Sequence, residues 1–196
     1  MKAAAVLLAV VFLLAPVGVA LAAGFPNEPP GFRGIRWGTP LDEIKGKMTL
    51  YRIDFNDPKG YVAETHPSDD PGLDQVGRTG ELADYEREDD SLRLGRAEVQ
   101  SIAYGFYQDR FFRVLVRYKE VWNYEYLKEM LFDLYGPVKE QEGEYRCYWW
   151  YGREVTVGLK YEVFNRGGTV VWTYNPIVDR MKQDFVEEAR TGGEGF

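Results

Sequence analysis

The stretch Tyr145 to Tyr174, YRCYWWYGREVTVGLKYEVFNRGGTVVWTY, constrains the fold of this chain more than any other. Val155, Val157, Leu159, Tyr161 and Val163 recur at every second position, with Glu154, Thr156, Lys160 and Glu162 between them. That alternation describes a strand with one buried face. Gly152-Arg153 reads as a two-residue hairpin loop, and Asn165-Arg166-Gly167-Gly168 as a four-residue one. These loops put Tyr148 and Trp150 on the face of Val155, Val157 and Leu159, and pair Val163, Tyr161 and Leu159 with Val170, Trp172 and Tyr174. A slip of one residue would invert a whole strand, so the agreement of three strands on one face predicts an antiparallel meander. The opposite face carries Tyr145, Cys147, Trp149, Tyr151, Thr156, Lys160, Thr169, Val171 and Thr173. Its first strand is too aromatic for an ordinary solvated surface, and partial cover is expected there.

Upstream, Val99 to Tyr107 and Phe111 to Lys119 predict a second hairpin. A three-residue loop, Gln108-Asp109-Arg110, sets Ile102, Tyr104 and Phe106 on the face of Phe112, Val114, Val116 and Tyr118. A two-residue loop would set them beside Arg113 and Arg117 instead. A helix is expected from Asn123 as cap to Tyr135, with Tyr124, Leu127, Leu131 and Leu134 as its apolar stripe and Gly136-Pro137 as its stop. Thr39-Pro40 opens a short helix toward Lys47, and Asn175-Pro176 opens a last one with the stripe Ile177, Met181, Phe185 and Ala189. Leu50 to Phe55 and Leu82 to Glu86 read as strands. Helices alternate with hairpins, without the long crossovers of a parallel sheet. The fold class is therefore α+β: an antiparallel sheet with two to three helices on one face or at its ends.

The first 22 residues have the form of a secretory signal peptide. Lys2 precedes an uncharged apolar run from Ala3 to Leu14, and Ala20-Leu21-Ala22 predicts a cut after Ala22. The expected organisation is a signal at 1–22, a linker at 23–30, one domain at 31–192 and a frayed tail at 193–196. Cutting leaves 174 of 196 residues, enough for one core without disulfides or metals. Cys147 is the only cysteine, which precludes an internal disulfide. Loss of Lys2 takes the net charge from −7 to −8, which opposes nucleic acid and anionic membrane surfaces as partners. Twelve acidic residues against three basic ones between Asp54 and Asp90 account for all of that charge. Proline and glycine through 56–80 predict a long solvated acidic loop. Asp54-Phe-Asn-Asp57 begins like a calcium loop, but Pro58 and Lys59 break the spacing, so no metal site is assigned.

Constellations for catalysis are missing from the sequence pattern. His66, the only histidine, lies between Thr65 and Pro67, and Ser68, Ser91 and Ser101 lack a nucleophile-elbow pattern. One histidine and one cysteine cannot supply a zinc centre without carboxylates, and no glycine spacing cradles a phosphate. No cofactor is expected. A pair of carboxylates acting in hydrolysis stays open, since their separation is not visible in sequence. Five Trp and fourteen Tyr point elsewhere: Tyr145, Trp149 and Tyr151, on the face away from the core, are candidate ligand-binding residues able to stack on sugars or anchor a protein.

The N-terminal GFRGIRWGTPLDEI, the run SIAYGFYQDRFFRVLVRY, the helix ending in Tyr135-Gly136-Pro137 and the motif YWWYG together resemble a group of bacterial exported proteins with no assigned activity. The order of helix and antiparallel sheet is also similar to small envelope modules found in outer-membrane assembly lipoproteins and β-lactamase inhibitor proteins. The resemblance implies export and an α+β fold, and transfers no site residue. The expected function is a non-catalytic periplasmic or secreted module that binds an envelope protein or glycan, with no stable membrane insertion after cleavage. The alternative is a carboxylate-dependent hydrolase acting on an envelope substrate.

Overall fold

The computed structural model describes residues 24–44, 48–50, 82–141, 143 and 145–192. The expected signal peptide, the acidic loop at 56–80 with His66, and the frayed tail lie outside the described residues. The fold is α+β, built on a seven-stranded antiparallel sheet. Its strands are β3 (Met48–Leu50), β4 (Leu82–Arg87), β7 (Ser101–Tyr107), β8 (Arg110–Lys119), β9 (Arg146–Tyr151), β10 (Val155–Glu162) and β11 (Gly167–Tyr174). They lie side by side in the order β3, β4, β7, β8, β11, β10, β9. Two small ribbons, β1 (Gly31–Phe32) with β2 (Ile35–Arg36) and β5 (Arg93–Leu94) with β6 (Ala97–Glu98), flank it. The helices are α1 (Leu41–Ile44), α2 (Val121–Tyr135) and α3 (Asn175–Gly192).

Both faces of the meander are those the alternation predicts, yet the pairing differs in register by even numbers. Trp150 pairs with Val157 and Tyr148 with Leu159, so four residues, Gly152 to Val155, separate the paired ends of β9 and β10. Leu159 pairs with Val170 and Val157 with Trp172, which moves the second turn back to Val163–Arg166. An even shift leaves every side chain on its face. Val163, expected in the core, is therefore a turn residue and is 54% exposed. Arg166 takes the positive φ of that turn, at 49°. The glycines after it serve the strand: the Tyr118 hydroxyl donates to the Lys160 carbonyl at 2.7 Å across Gly168, where a Cβ would lie 1.9 Å from that carbonyl oxygen.

The β7–β8 hairpin also corrects its expected loop. Gln108 and Asp109 alone form a two-residue turn, both at positive φ (47° and 58°), and Tyr107 pairs with Arg110. A bulge between Gly105 and Phe106 then restores the parity, so Tyr104 still faces Val114 and Ile102 faces Val116. Phe111 takes the core position expected for Phe112. Phe112 points to the opposite face, where it joins Tyr107, Val178 and Met181.

α2 lies on the core face. Tyr124, Leu127, Leu131 and Tyr135 are buried, while Leu134, expected in this stripe, is 48% exposed. The helix begins at Val121, ahead of Asn123, which is not its cap. Asn123 instead accepts from the Glu98 N–H at 3.0 Å and donates to the Lys119 carbonyl at 2.9 Å, tying the helix start to β6 and β8. α3 packs on the opposite face at one end of the sheet through Val178 and Met181. Ala189 of its expected stripe is exposed, and Asn175 bonds to Thr156 and the Gly152 carbonyl.

Residues 24–30, expected to be a linker, are instead tied to the domain. Phe25 packs its ring 4.9 Å from that of Tyr135, and the Trp37 indole donates to the Pro29 carbonyl at 2.7 Å. The Glu28 carboxylate accepts the consecutive backbone N–H groups of Arg153, Glu154 and Val155 at 2.7, 2.6 and 2.9 Å. Three N–H groups converging on one anion form a nest, and this contact closes the four-residue β9–β10 turn. Glu28→Ala is expected to lower stability by about 1 to 2 kcal/mol, the scale of lost charge-assisted hydrogen bonds. A chemical denaturation midpoint equal to the wild type would show that the clip contributes nothing.

Candidate functional site

Three rows of side chains cross the face opposite α2, set by the strand register. Tyr151, Thr156, Thr173, Arg113, Gly105 and Asp84 form one; Trp149, Gly158, Val171, Leu115, Ala103 and Glu86 the next; Cys147, Lys160, Thr169, Arg117 and Ser101 the third. Long side chains lie over the two glycines. The Arg113–Asp84 ion pair, at 3.0 Å, passes over Gly105, and the benzo ring of Trp149 occupies the space over Gly158, where a Cβ would come within 2.5 Å. Gly158 thus lets the indole lie down on the sheet. Burial holds the Glu86 carboxyl above the usual range against the pull of Arg117.

Trp149 and Tyr151 sit two residues apart on β9, the edge strand. Their rings stack with centroids 6.2 Å apart and planes 14° from parallel. Tyr151 is 62% exposed and Trp149 is half-buried, so the pair forms an aromatic ledge along the sheet edge. α3 covers the other end of this face and leaves the ledge open. Tyr145, the third residue expected here, stands just before β9 and is held by Lys160, whose Nζ lies 3.7 Å from its ring centroid. It flanks the ledge without joining the stack. Sequence reasoning passed over Gly158; a lone glycine inside an alternating strand was the available signal of close approach.

Arg146 and Glu140 brace the start of β9. Both carboxylate oxygens of Glu140 accept from Arg146 at 3.1 Å, and the Tyr148 hydroxyl donates to the same group. The Arg146 bond, then the Tyr148 bond, hold the Glu140 carboxyl below its ordinary value of 4.5. A depressed folded-state value adds stability above 4.5 that is lost as pH falls through the folded value. Wild-type stability is therefore expected to fall more steeply than that of Glu140→Gln in acid titrations below that pH. Parallel acid limbs for the two proteins would refute the coupling.

Two clefts lie beside α1 among the described residues. One, of about 390 Å³, is lined by Arg33, Gly34, Ile35, Glu43, Ile44, Met48 and Arg87. The other, of about 410 Å³, brings Asp42, Glu43 and Asp109 to one depression beside Arg110. No three or more His, Cys, Asp or Glu side chains gather as metal ligands among the described residues. Nor, among these residues, is any helix long and apolar enough to cross a membrane.

Comparison finds no protein-family model, no curated protein and no solved structure similar to this chain.

Proposed function

We propose that this chain is a non-catalytic exported binding module whose contact surface is the Trp149–Tyr151 ledge. One observation carries the reading: two near-parallel rings sit on an edge strand, one laid flat against Gly158 and the other largely exposed. Such rings offer a rigid apolar plane with polar tips, suited to the C–H face of a sugar or to an anchor residue of a protein partner. The flatness of the platform favours the glycan. Export rests on the charge and apolar pattern of residues 1–22.

Titration with oligosaccharides released from the envelope of its own cell, followed by tryptophan emission, tests the reading. Tyr151→Ala should weaken binding about tenfold, the loss of one stacked ring, with an unchanged melting temperature. Equal affinities for wild type and variant would remove the ledge from consideration. A carboxylate-dependent hydrolase is the second reading, favoured only by the depression that holds Asp42, Glu43 and Asp109. Hydrolysis of an envelope glycan that Asp109→Asn abolishes would establish it.

A further inference from the structure

The corner where the β10–β11 turn meets the start of α2 presents four exposed apolar side chains. Phe164 is 93% exposed, Val163 54%, Trp122 51% and Val121 40%. A turn that only reversed the chain would carry Asn, Asp, Gly or Ser at such positions. This one holds its apolar residues out on a braced frame. The Arg166 N–H donates to the Val163 carbonyl at 3.3 Å, the Glu120 N–H donates to the Arg166 carbonyl, and Asn165 donates to Glu162 at 2.7 Å. The Arg166–Glu120 ion pair, at 3.0 Å, locks the turn to the helix start.

We propose that this corner is a lipid-contact site, which dips Phe164, Val163 and Trp122 into the interfacial layer of a bilayer. The shape argues for it: a protruding turn tip needs a pre-shaped pocket in a protein partner, whereas a fluid layer accepts it without one. Aromatic rings and short apolar side chains are the residues that settle at the headgroup boundary. Local charge agrees. Glu120 is paired with Arg166 and Glu162 with Lys160, while Lys119 lies against the Asn165 carbonyl as a further cation. The carboxylates of this corner are thus neutralised in a chain of net charge −7, so the tip can approach zwitterionic headgroups. Because the chain as a whole is acidic, insertion of the apolar tip drives the contact, and zwitterionic surfaces should be preferred to anionic ones. The site shares no residue with the ledge and does not depend on the binding-module reading.

The protein purified after export is floated with phosphatidylcholine vesicles, with and without phosphatidylglycerol. Wild type should float with both, more strongly with phosphatidylcholine alone. Phe164→Ser and Trp122→Ser should each lower the bound fraction about tenfold, the scale of one buried apolar side chain. Their melting temperatures should stay at the wild-type value, since both side chains are exposed. Brominated acyl chains should quench tryptophan emission in wild type and fail to do so in Trp122→Phe. Tyr151→Ala should float as wild type does, which separates this site from the ledge. The proposal is overturned if wild type stays at the bottom of the gradient, or if Phe164→Ser floats equally well. It is also overturned if Phe164→Ser changes the mass by light scattering without lipid, which would make the corner an interface between copies.

Discussion

Trp172→Ala is expected to lower the unfolding free energy by about 3 to 5 kcal/mol, the range for truncating a buried large aromatic. Trp149→Ala is expected to cost about 1 kcal/mol, since its ring is only half-buried. Trp172 is 3% exposed and sits between Val114 of β8 and Val157 of β10. Its ring lies 5.2 Å from that of Phe32, and its indole N–H donates to the Tyr135 hydroxyl at 3.0 Å. Truncation opens a cavity where the sheet, α2 and the β1–β2 ribbon meet, and strands the Tyr135 hydroxyl. Urea midpoints of the two variants measure the difference. Equal losses would mean that both faces of the sheet are closed to the same degree.

Gly168→Ala is expected to be as damaging as a core truncation, at about 3 kcal/mol or more, through overpacking. The new Cβ would stand 1.9 Å from the Lys160 carbonyl oxygen and 2.6 Å from the Tyr118 hydroxyl. The first of these is backbone in the middle of β10, paired on both sides, and cannot swing aside. Gly143→Ala is the matched control, because nothing lies within 4 Å of a Cβ there. Tyr118→Phe in the Gly168→Ala background should recover part of the loss by removing the hydroxyl, while the carbonyl clash stays. A melting temperature for Gly168→Ala no lower than that of Gly143→Ala would contradict the clasp over this residue.

The ledge was legible in part. Alternation puts Trp149 and Tyr151 on one face of one strand, and it puts Tyr145 on the same face. The structure shows its ring taken up by Lys160, a partner fifteen positions later across the β9–β10 pair. Openness of the ledge was less accessible, since cover depends on where a helix lands. The apolar stripe of α3 shows that it packs on something, but Phe112 beneath it reaches that face only through the bulge at Gly105/Phe106.

What the sequence alone determined is the parity of each strand of the meander from Arg146 to Tyr174. Side chains alternate with a period of two, so the set Val155, Val157, Leu159, Val170 and Trp172 can share a core under any even shift, and burial of one face forbids odd ones. Absolute register escaped it because even shifts look identical to the alternation. Only contacts between distant segments select among them: Glu28 gathering the N–H groups of residues 153 to 155, and Tyr118 reaching over Gly168 to Lys160. Each joins groups more than 40 positions apart in the chain. Such bonds exist only once the sheet is assembled, and no local pattern announces them.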